Sequence, residues 1–156
     1  MHIHLIAVGK RLDTWVQQGY DEYAKRLPRE CSLRLIEIEP GRRSKAGDVA
    51  RAKAEEEQAM LAAIPARAQV IALDERGKLW NTVQLSQKLD GWLHGGADVA
   101  LLVGGADGLT DACRARAQDV WSLSHLTLPH GLVRIVLAEQ LYRAWSILHN
   151  HPYHRA

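Results

Sequence analysis

The chain has 156 residues, of which 47% are hydrophobic and 24% are charged, and its formal net charge is +2. These proportions are typical of a folded globular domain and exclude the disordered and fibrous classes. Because this length suits one ordinary core, we expect a single domain over residues 1–156. A charge of +2 is too small for general polyanion binding, so a nucleic-acid site would have to be a local basic patch.

Two further features predict the cellular location and the state of the thiols. No apolar run is long enough to span a bilayer, and the opening MHIHLIAVGKRLD lacks the layout of a signal peptide. We therefore expect a cytoplasmic protein with no membrane partner. Cys31 and Cys113 lie far apart and form no CxxC pair, which indicates buried, reduced thiols rather than a zinc site or a disulfide.

Strand-like and helix-like segments alternate along the chain, which predicts an α/β domain with a mainly parallel sheet and helices on both faces. The predicted strands cover residues 2–8, 32–37, 69–73, 98–103 and 121–124. The predicted helices cover residues 15–27, 47–63, 83–94, 111–119 and 132–149. Asn81 and Thr82 supply an N-cap for the third helix, and Gly95 and Gly96 end it.

Two loops interrupt this regular order. Residues 39–46, EPGRRSKA, are basic and contain Gly and Pro, so we expect a mobile, phosphate-binding loop, although solvated surface charge explains such clusters too. Residues 74–80, DERGKLW, follow the third strand. Ligands of open α/β sheets bind beyond the carboxyl ends of the strands, so this second loop is well placed for a site.

The last predicted helix is apolar around most of its circumference. Its strongly polar positions are Arg134, Glu139, Gln140 and Arg143. Such a helix must be buried on two sides. One side faces the sheet, so we expect the other to pack on a second copy in a homodimer. Glu139 and Arg143 are spaced i,i+4 and can pair within the helix.

Two breaks in the regular structure are candidates for a ligand site. Residues 101–108, LLVGGADG, are a buried strand that ends in a glycine-rich turn, where backbone is open to a ligand. The turn is neither a GxGxxG fingerprint nor a GxxxxGK[ST] loop, and taken alone it is better explained as an ordinary strand-to-helix turn. Residues 121–130, WSLSHLTLPH, form the second break, whose amides and carbonyls can clamp a flat heterocycle.

The tail, HNHPYHR at residues 149–155, combines three kinds of side chain that suit RNA chemistry. Aromatic rings stack on unpaired bases, guanidinium groups pair with phosphate, and imidazole moves protons near neutral pH. A frayed, polar terminus is the ordinary alternative. His149, His151 and His154 depart from zinc-finger spacing and have no thiol or carboxylate beside them, so we expect no metal.

Four segments in the same order resemble one family. LLVGGADG, SLSHLTLPH, LVRIVLAEQLYRAWSI and HPYHR are similar to segments of the RlmH-type large-subunit rRNA methyltransferases of the SPOUT superfamily, and the similarity extends back through YDEY to LIAVGK. The resemblance implies an S-adenosylmethionine-dependent enzyme that methylates N3 of a pseudouridine in 23S rRNA of the assembled 70S ribosome. It also implies a homodimer and a C-terminal trefoil knot, a topology that general fold rules exclude by default.

The resemblance also implies which residues hold the cofactor, mostly through their backbone. These positions are Leu73, Gly104, Leu123, Ser124, His125, Leu126, Thr127 and Leu128. His125 stands where small residues also occur in the family, so its side chain is not expected to be required.

Chemistry at pseudouridine N3 requires loss of an imide proton or stabilisation of the resulting anion. We expect the tail to supply these functions: His151, Tyr153 and His154 for proton handling or base stacking, and Arg143 and Arg155 for the anion or a phosphate. The tail can complete the pocket of its own chain or that of the second copy.

Other interpretations stay open at this level. Arg143 can serve only as the partner of Glu139, and His130 can serve only as a helix-start residue. The whole chain can be a non-catalytic ribosome-associated RNA-binding factor. A nucleotide-dependent phosphotransferase is disfavoured because the phosphate-loop lysine and metal-binding carboxylates are missing.

Overall fold

The computed structural model describes residues 1–44 and 47–155. The strands are β1 (His2–Val8), β2 (Ser32–Ile38), β3 (Gln69–Leu79), β4 (Val99–Val103) and β5 (Asp119–Ser122). The helices are α1 (Thr14–Ala24), α2 (Asp48–Ala63), α3 (Thr82–Gly95), α4 (Asp111–Arg116) and α5 (His130–Leu148). Short 3-10 turns cover Arg29–Cys31 and Pro152–His154.

The five strands form one sheet in the order β2-β1-β4-β3-β5, and every pair is parallel. Side chains alternate between the two faces because successive residues of a strand point in opposite directions. On β1, Ile3 and Leu5 therefore enter one core, whereas Ile6 and Val8 enter the other. The predicted α/β fold with a parallel sheet is confirmed.

Helices cover both faces of the sheet. Helices α1, α3 and α5 pack on the face that carries Ile3 and Leu5, with Tyr20, Leu89 and Leu141 buried beneath them. Helices α2 and α4 cover the opposite face through Met60 and Cys113, among others. The C-terminal trefoil knot stays a prediction.

The third strand is longer than predicted, and the loop predicted for residues 74–80 is wrong in part. Trp121 of β5 pairs with both Leu73 and Lys78, so residues 74–77 bulge out before the strand rejoins the ladder. A Cβ on Gly77 would lie 2.6 Å from the carbonyl oxygen of Val120, so only glycine fits there. Because the residues of the bulge are polar, the sequence pattern does not indicate that β3 continues beyond Leu73. The continuation depends on this backbone contact.

The ends of several elements differ from prediction by a few residues. Helix α4 ends at Arg116 because Ala117 is already extended and the Gln118 N–H donates to the carbonyl oxygen of Val70 on β3. Strand β5 consequently starts at Asp119, earlier than expected. The predicted cap of α3 is confirmed, since Asn81 accepts from the Gln84 N–H and Gly96 follows in the left-handed conformation.

Helix α5 is enclosed largely within its own chain. It packs against α1 on one flank and α3 on the other. These two helices therefore cover part of the apolar surface that we expected a second copy to cover. Arg134, one of the strongly polar positions of the helix, is only 1% exposed. The predicted pair of Glu139 and Arg143 is confirmed at 2.9 Å, and the homodimer stays a prediction.

Cys31 and Cys113 are buried and free, as predicted. Burial raises the pKa of the Cys31 thiol to about 11, so it stays protonated and unreactive at neutral pH. Within the described ranges, no helix is both long and apolar enough to cross a membrane.

Candidate functional site

A cavity of about 950 Å³ lies at the carboxyl ends of the strands. The last residues of β1 and β4, Val8 and Val103, line it together with Leu73 on β3 and Ser122 at the end of β5. Strand order changes direction in this part of the sheet, and such switch points are where open α/β sheets bind ligands. The volume suits a small organic molecule.

One wall of the cavity is the glycine turn after β4. Gly105 and Gly108 form an isolated bridge, and Gly108 adopts a φ of 77°. A Cβ on Gly104 would lie 2.5 Å from the carbonyl carbon of Gly108. The turn therefore closes tightly on itself and leaves bare backbone facing the cavity.

The opposite wall is the break between β5 and α5. Ser122 Oγ donates to the carbonyl oxygen of Ser124 at 3.0 Å, and Ser124 Oγ accepts from the Leu126 N–H at 2.9 Å. These bonds hold residues 123–128 in an irregular course that frees other backbone groups. Seven of the eight expected cofactor positions line the cavity: Leu73, Gly104, Leu123, Ser124, Leu126, Thr127 and Leu128. The eighth, His125, is exposed and is not among the lining residues.

A charged cluster that the sequence did not predict lies on the cavity wall. Arg114 of α4 pairs with Asp74 at 3.1 Å and donates to the Leu109 carbonyl at 2.7 Å. Burial alone would raise the pKa of Asp74, but hydrogen bonds from Arg76 and the charges of Arg76 and Arg114 hold it below its ordinary value. Asp74 directly follows the apolar residues of β3, and this position could have indicated from the sequence that Asp74 lies at the site.

The loop predicted to be mobile and phosphate-binding is pinned through Arg43. Its guanidinium donates to Glu56 on α2 at 2.6 Å and to Asp107 in the glycine turn at 2.7 Å. Glu56 is only 3% exposed and also accepts from the Gly41 N–H at 2.9 Å. Arg43 therefore fixes residues 39–44 beside the cavity and is not a free phosphate ligand; Lys45 and Ala46 lie outside the described residues.

The tail packs against α5 and against Arg26, which follows α1. Tyr153 Oη donates to Glu139 at 2.6 Å, and the same carboxylate accepts from Arg143 Nε at 3.0 Å. The Tyr153 ring lies 4.7 Å from that of Tyr142, and the Arg26 guanidinium lies over both rings. The frayed terminus offered as an alternative therefore does not describe these residues.

The other tail candidates are held less tightly. His151 Nδ1 accepts from the Tyr153 N–H at 3.2 Å and caps the final 3-10 turn. His154 is half-buried, and Arg155 has an exposed side chain whose backbone N–H donates to Pro152 at 3.3 Å. Arg143 pairs with Glu139, as expected if Arg143 has only a structural role within the helix.

One chain does not bring the tail and the cavity together. His130, at the start of α5, lines the cavity, whereas the tail follows the end of this 19-residue helix. The tail turns back along α5 only as far as Glu139 near the middle of the helix, where Tyr153 Oη donates to that carboxylate. Accordingly, none of the described tail residues lines the cavity.

Several buried polar atoms lack a hydrogen-bond partner within the described part of the chain. In and beside the tail they are Arg143 Nη1, Trp145 Nε1 and His154 Nδ1, and on the cavity wall Trp121 Nε1. Buried polar groups are almost always paired, so these atoms are exceptions within the described structure. Residues 1–44 and 47–155 contain no cluster of three or more His, Cys, Asp or Glu side chains able to hold a metal ion.

The fold and this cavity define a methyltransferase of a known class. Residues 1–154 match the family model described as "Predicted SPOUT methyltransferase", and the chain belongs to that family. It is 61% identical over 155 residues to the ribosomal RNA large subunit methyltransferase H of Thioalkalivibrio sulfidiphilus (strain HL-EbGR7), with 99% of each chain covered. It is 56% identical over 155 residues to the protein of the same name from Methylococcus capsulatus (strain ATCC 33009 / NCIMB 11132 / Bath), with 99% of this chain and 100% of that one covered.

Solved structures support the fold. A "probable methylase family protein" from Haemophilus influenzae Rd KW20 matches with a TM-score of 0.55 at 12% identity, over 99% of this chain and 70% of that one. A "probable methyltransferase" from Bordetella pertussis Tohama I matches with a TM-score of 0.54 at 16% identity, over 92% of each chain. At these identities the likeness concerns the fold alone. The predicted family is confirmed.

Proposed function

We propose that this chain transfers a methyl group from S-adenosylmethionine to N3 of a pseudouridine in large-subunit rRNA, acting in the cytoplasm on the assembled 70S ribosome as a homodimer. The observation that carries the proposal is the convergence of seven expected cofactor positions on one cavity at the switch point of the sheet. Full-length similarity to relatives named for large-subunit rRNA methylation supports the substrate class.

The residues of the cavity fit the cofactor. Bare backbone at Gly104 and the irregular course of residues 123–128 suit a flat adenine and its ribose. Asp74 and Arg114 suit the ammonium and carboxylate of an amino acid. When bound, S-adenosylmethionine supplies an electrophilic methyl group on a sulfonium centre.

The protein must hold the pseudouridine and manage its N3 proton. Burial and the hydrogen bond to Glu139 raise the pKa of Tyr153 to about 12, so its hydroxyl is a donor at neutral pH and not a base. The tail cluster offers a buried guanidinium nitrogen on Arg143 and a buried imidazole nitrogen on His154, both without partners in the described chain. We assign anion stabilisation to Arg143 and Arg155, and proton handling to His151 or His154.

Because none of the described tail residues lines the cavity of its own chain, the tail acts on the cavity of the second copy in this proposal. Exposed apolar residues support such a dimer. Trp15 on α1 is 53% exposed and Leu132 on α5 is 39% exposed, and they flank the close approach of Val16 to Gly131. In this proposal the two-fold axis of the dimer brings each tail to the opposite cavity.

The first experiment measures transfer of labelled methyl from S-adenosylmethionine to 70S ribosomes that lack the modification, followed by mapping of the methylated nucleotide. Methylation at a pseudouridine N3 supports the proposal. Cofactor binding with labelling of a different nucleotide contradicts the assigned substrate. Ribosome binding without cofactor binding or transfer favours the RNA-binding factor instead.

A mixing experiment tests the shared site. One variant lacks residues 151–156, and the other carries Thr127→Trp, a bulky side chain at an exposed cavity position that the fold tolerates. Each homodimer should be inactive, and mixed dimers should regain activity because one intact tail meets one intact cavity. Mixed dimers that stay as inactive as the parents would show that each tail serves its own chain.

A further inference from the structure

His130 lies where the cavity meets the polar interior of the protein. It is the first residue of α5 and one of the cavity-lining residues. Its Nδ1 lies 3.2 Å from the carbonyl oxygen of Gly104 in the glycine turn, and its Nε2 lies 3.1 Å from Nε of Arg134, one helical turn further on. The ring therefore bridges a cofactor-wall carbonyl and a buried cation.

Arg134 is itself fixed on three sides. It donates through Nη1 to Glu37 of β2 at 2.7 Å, through Nη2 to the Gly9 carbonyl at 2.8 Å, and through Nε to His130. Its side chain is 1% exposed. Gly9 has a φ of 129°, and a Cβ there would lie 3.3 Å from Arg134 Nη2. The guanidinium thus ties the start of α5 to the ends of β1 and β2.

The partners of His130 dictate where its proton sits. An arginine Nε carries a hydrogen and can only donate, so His130 Nε2 must be the bare, accepting nitrogen. A backbone carbonyl can only accept, so Nδ1 must carry the proton that it donates to Gly104. A second ring proton would face the Arg134 donor, and the ring is therefore held neutral in a single tautomer.

This tautomer has a consequence for the cofactor wall. A peptide unit is planar and trans, so a donor that holds the Gly104 carbonyl also sets the direction of the following N–H, that of Gly105. Without a side chain at Gly104 or Gly105, no side-chain rotamer restrains this peptide. His130 supplies the restraint from outside the turn.

We infer that His130 is a positioning residue for the cofactor site: its Nδ1–H fixes the Gly104 peptide in the orientation that binds S-adenosylmethionine, while Arg134 fixes the ring. The inference rests on the proposed function. It extends that proposal to a residue outside the expected cofactor set and predicts a dependence on the His130 protonation state.

The electrostatic surroundings support a neutral ring. Burial, followed by the charge of Arg134, lowers the pKa of His130, while the Gly104 carbonyl and Glu37 oppose the shift. Tyr20 on α1 is the other titratable group near Arg134, and its raised pKa keeps it uncharged at neutral pH. Because the pKa of His130 is below its ordinary value, cofactor affinity should be unchanged near neutral pH and should fall only as the pH drops below the ordinary histidine pKa of about 6.5.

Two substitutions separate the two hydrogen bonds. His130→Asn places an amide nitrogen at the same bond distance from the backbone as Nδ1, so it keeps the donor to Gly104 and loses the acceptor for Arg134. His130→Gln reaches the Nε2 position, so it keeps that acceptor and loses the donor. We would measure the Kd for S-adenosylmethionine by calorimetry and the melting temperature without cofactor, with the exposed surface substitution His94→Gln as matched control.

His130→Gln should weaken cofactor binding by roughly fivefold to tenfold with a nearly unchanged melting temperature, because one hydrogen bond is lost. His130→Asn should keep the affinity within about twofold, melt at a lower temperature and lose the pH dependence of binding. In the wild type, nitrogen NMR should show a protonated Nδ1 and a bare Nε2 on His130.

The contrary outcomes are distinct. Equal affinities in both variants, or a protonated Nε2, would overturn the positioning role while leaving the proposed function intact. Failure of the wild type to bind S-adenosylmethionine would overturn the proposed function, and the inference with it.

Discussion

The buried carboxylate of Glu56 gives the sharpest stability prediction. It is 3% exposed and accepts from Arg43 Nη1 at 2.6 Å, Arg43 Nη2 at 3.1 Å and the Gly41 N–H at 2.9 Å. Glu56→Gln removes the charge and turns one accepting oxygen into a donor that faces other donors. A charge-assisted hydrogen bond contributes about 1.5–3 kcal/mol, and Arg43 keeps its second partner, so we expect a loss of about 2 kcal/mol in the free energy of unfolding.

Urea unfolding at neutral pH measures this loss, which corresponds to a fall of about 4–8 °C in melting temperature for a domain of this size. Glu55→Gln is the matched control on the same helix, because among the described residues Glu55 pairs with exposed Arg51 at 3.5 Å. That pair should contribute less than about 0.5 kcal/mol. A double-mutant cycle with Arg43→Gln should return a coupling energy of about 1–2 kcal/mol. Equal losses for Glu56→Gln and Glu55→Gln would refute the reasoning.

Three further predictions concern other parts of the molecule. Gly77→Ala should destabilise the protein by about 1–3 kcal/mol in thermal melts, because its Cβ meets backbone atoms. Gly91→Ala in α3, with open space around it, should stabilise the protein by about 0.5–1 kcal/mol. An unchanged stability of Gly77→Ala would contradict the close contact at the bulge. Hydrogen bonds from His4 and His2 lower the pKa of Asp98, so its contribution to the free energy of unfolding should be present at neutral pH and fall as the pH drops below about 4. Asp98→Asn should flatten this pH dependence of the free energy of unfolding, measured with urea. An unchanged pH dependence would contradict the prediction. Tyr153→Phe should lose about 1 kcal/mol of stability and reduce methyl transfer, and full activity would argue against a catalytic tail.

The sequence predicted the parallel sheet well because its strands are short apolar runs with clear boundaries. It missed the second half of β3, since residues 74–79 are mostly polar and their pairing depends on the close approach of Gly77 to Val120. Helix periodicity identified α5, but it cannot show that Arg134 turns inward to Glu37, 97 positions away along the chain.

The candidate site was predictable only in part. Glycine-rich breaks after strands mark a ligand site by general rules, but the individual cofactor positions came from family resemblance. The charged cluster of Asp74 and Arg114 was not predicted, because these two residues are 40 positions apart in the sequence. The basic loop was predicted to be mobile and to bind phosphate, but Arg43 pairs with Glu56 and Asp107, partners that no local pattern reveals.

The strand order also constrains how this protein is made. β1 leaves the ribosome first, yet it is an interior strand, and Ile3 pairs with Leu33 on one side and Val99 on the other. A nascent chain therefore carries a half-paired, largely apolar strand until β4 has been synthesised. Parallel pairing over such sequence separation closes slowly, and a chain without β4 exposes the edge of β1 to other chains. We expect truncations before β4 to aggregate, because the seven residues of β1 then lack one of their two partner strands.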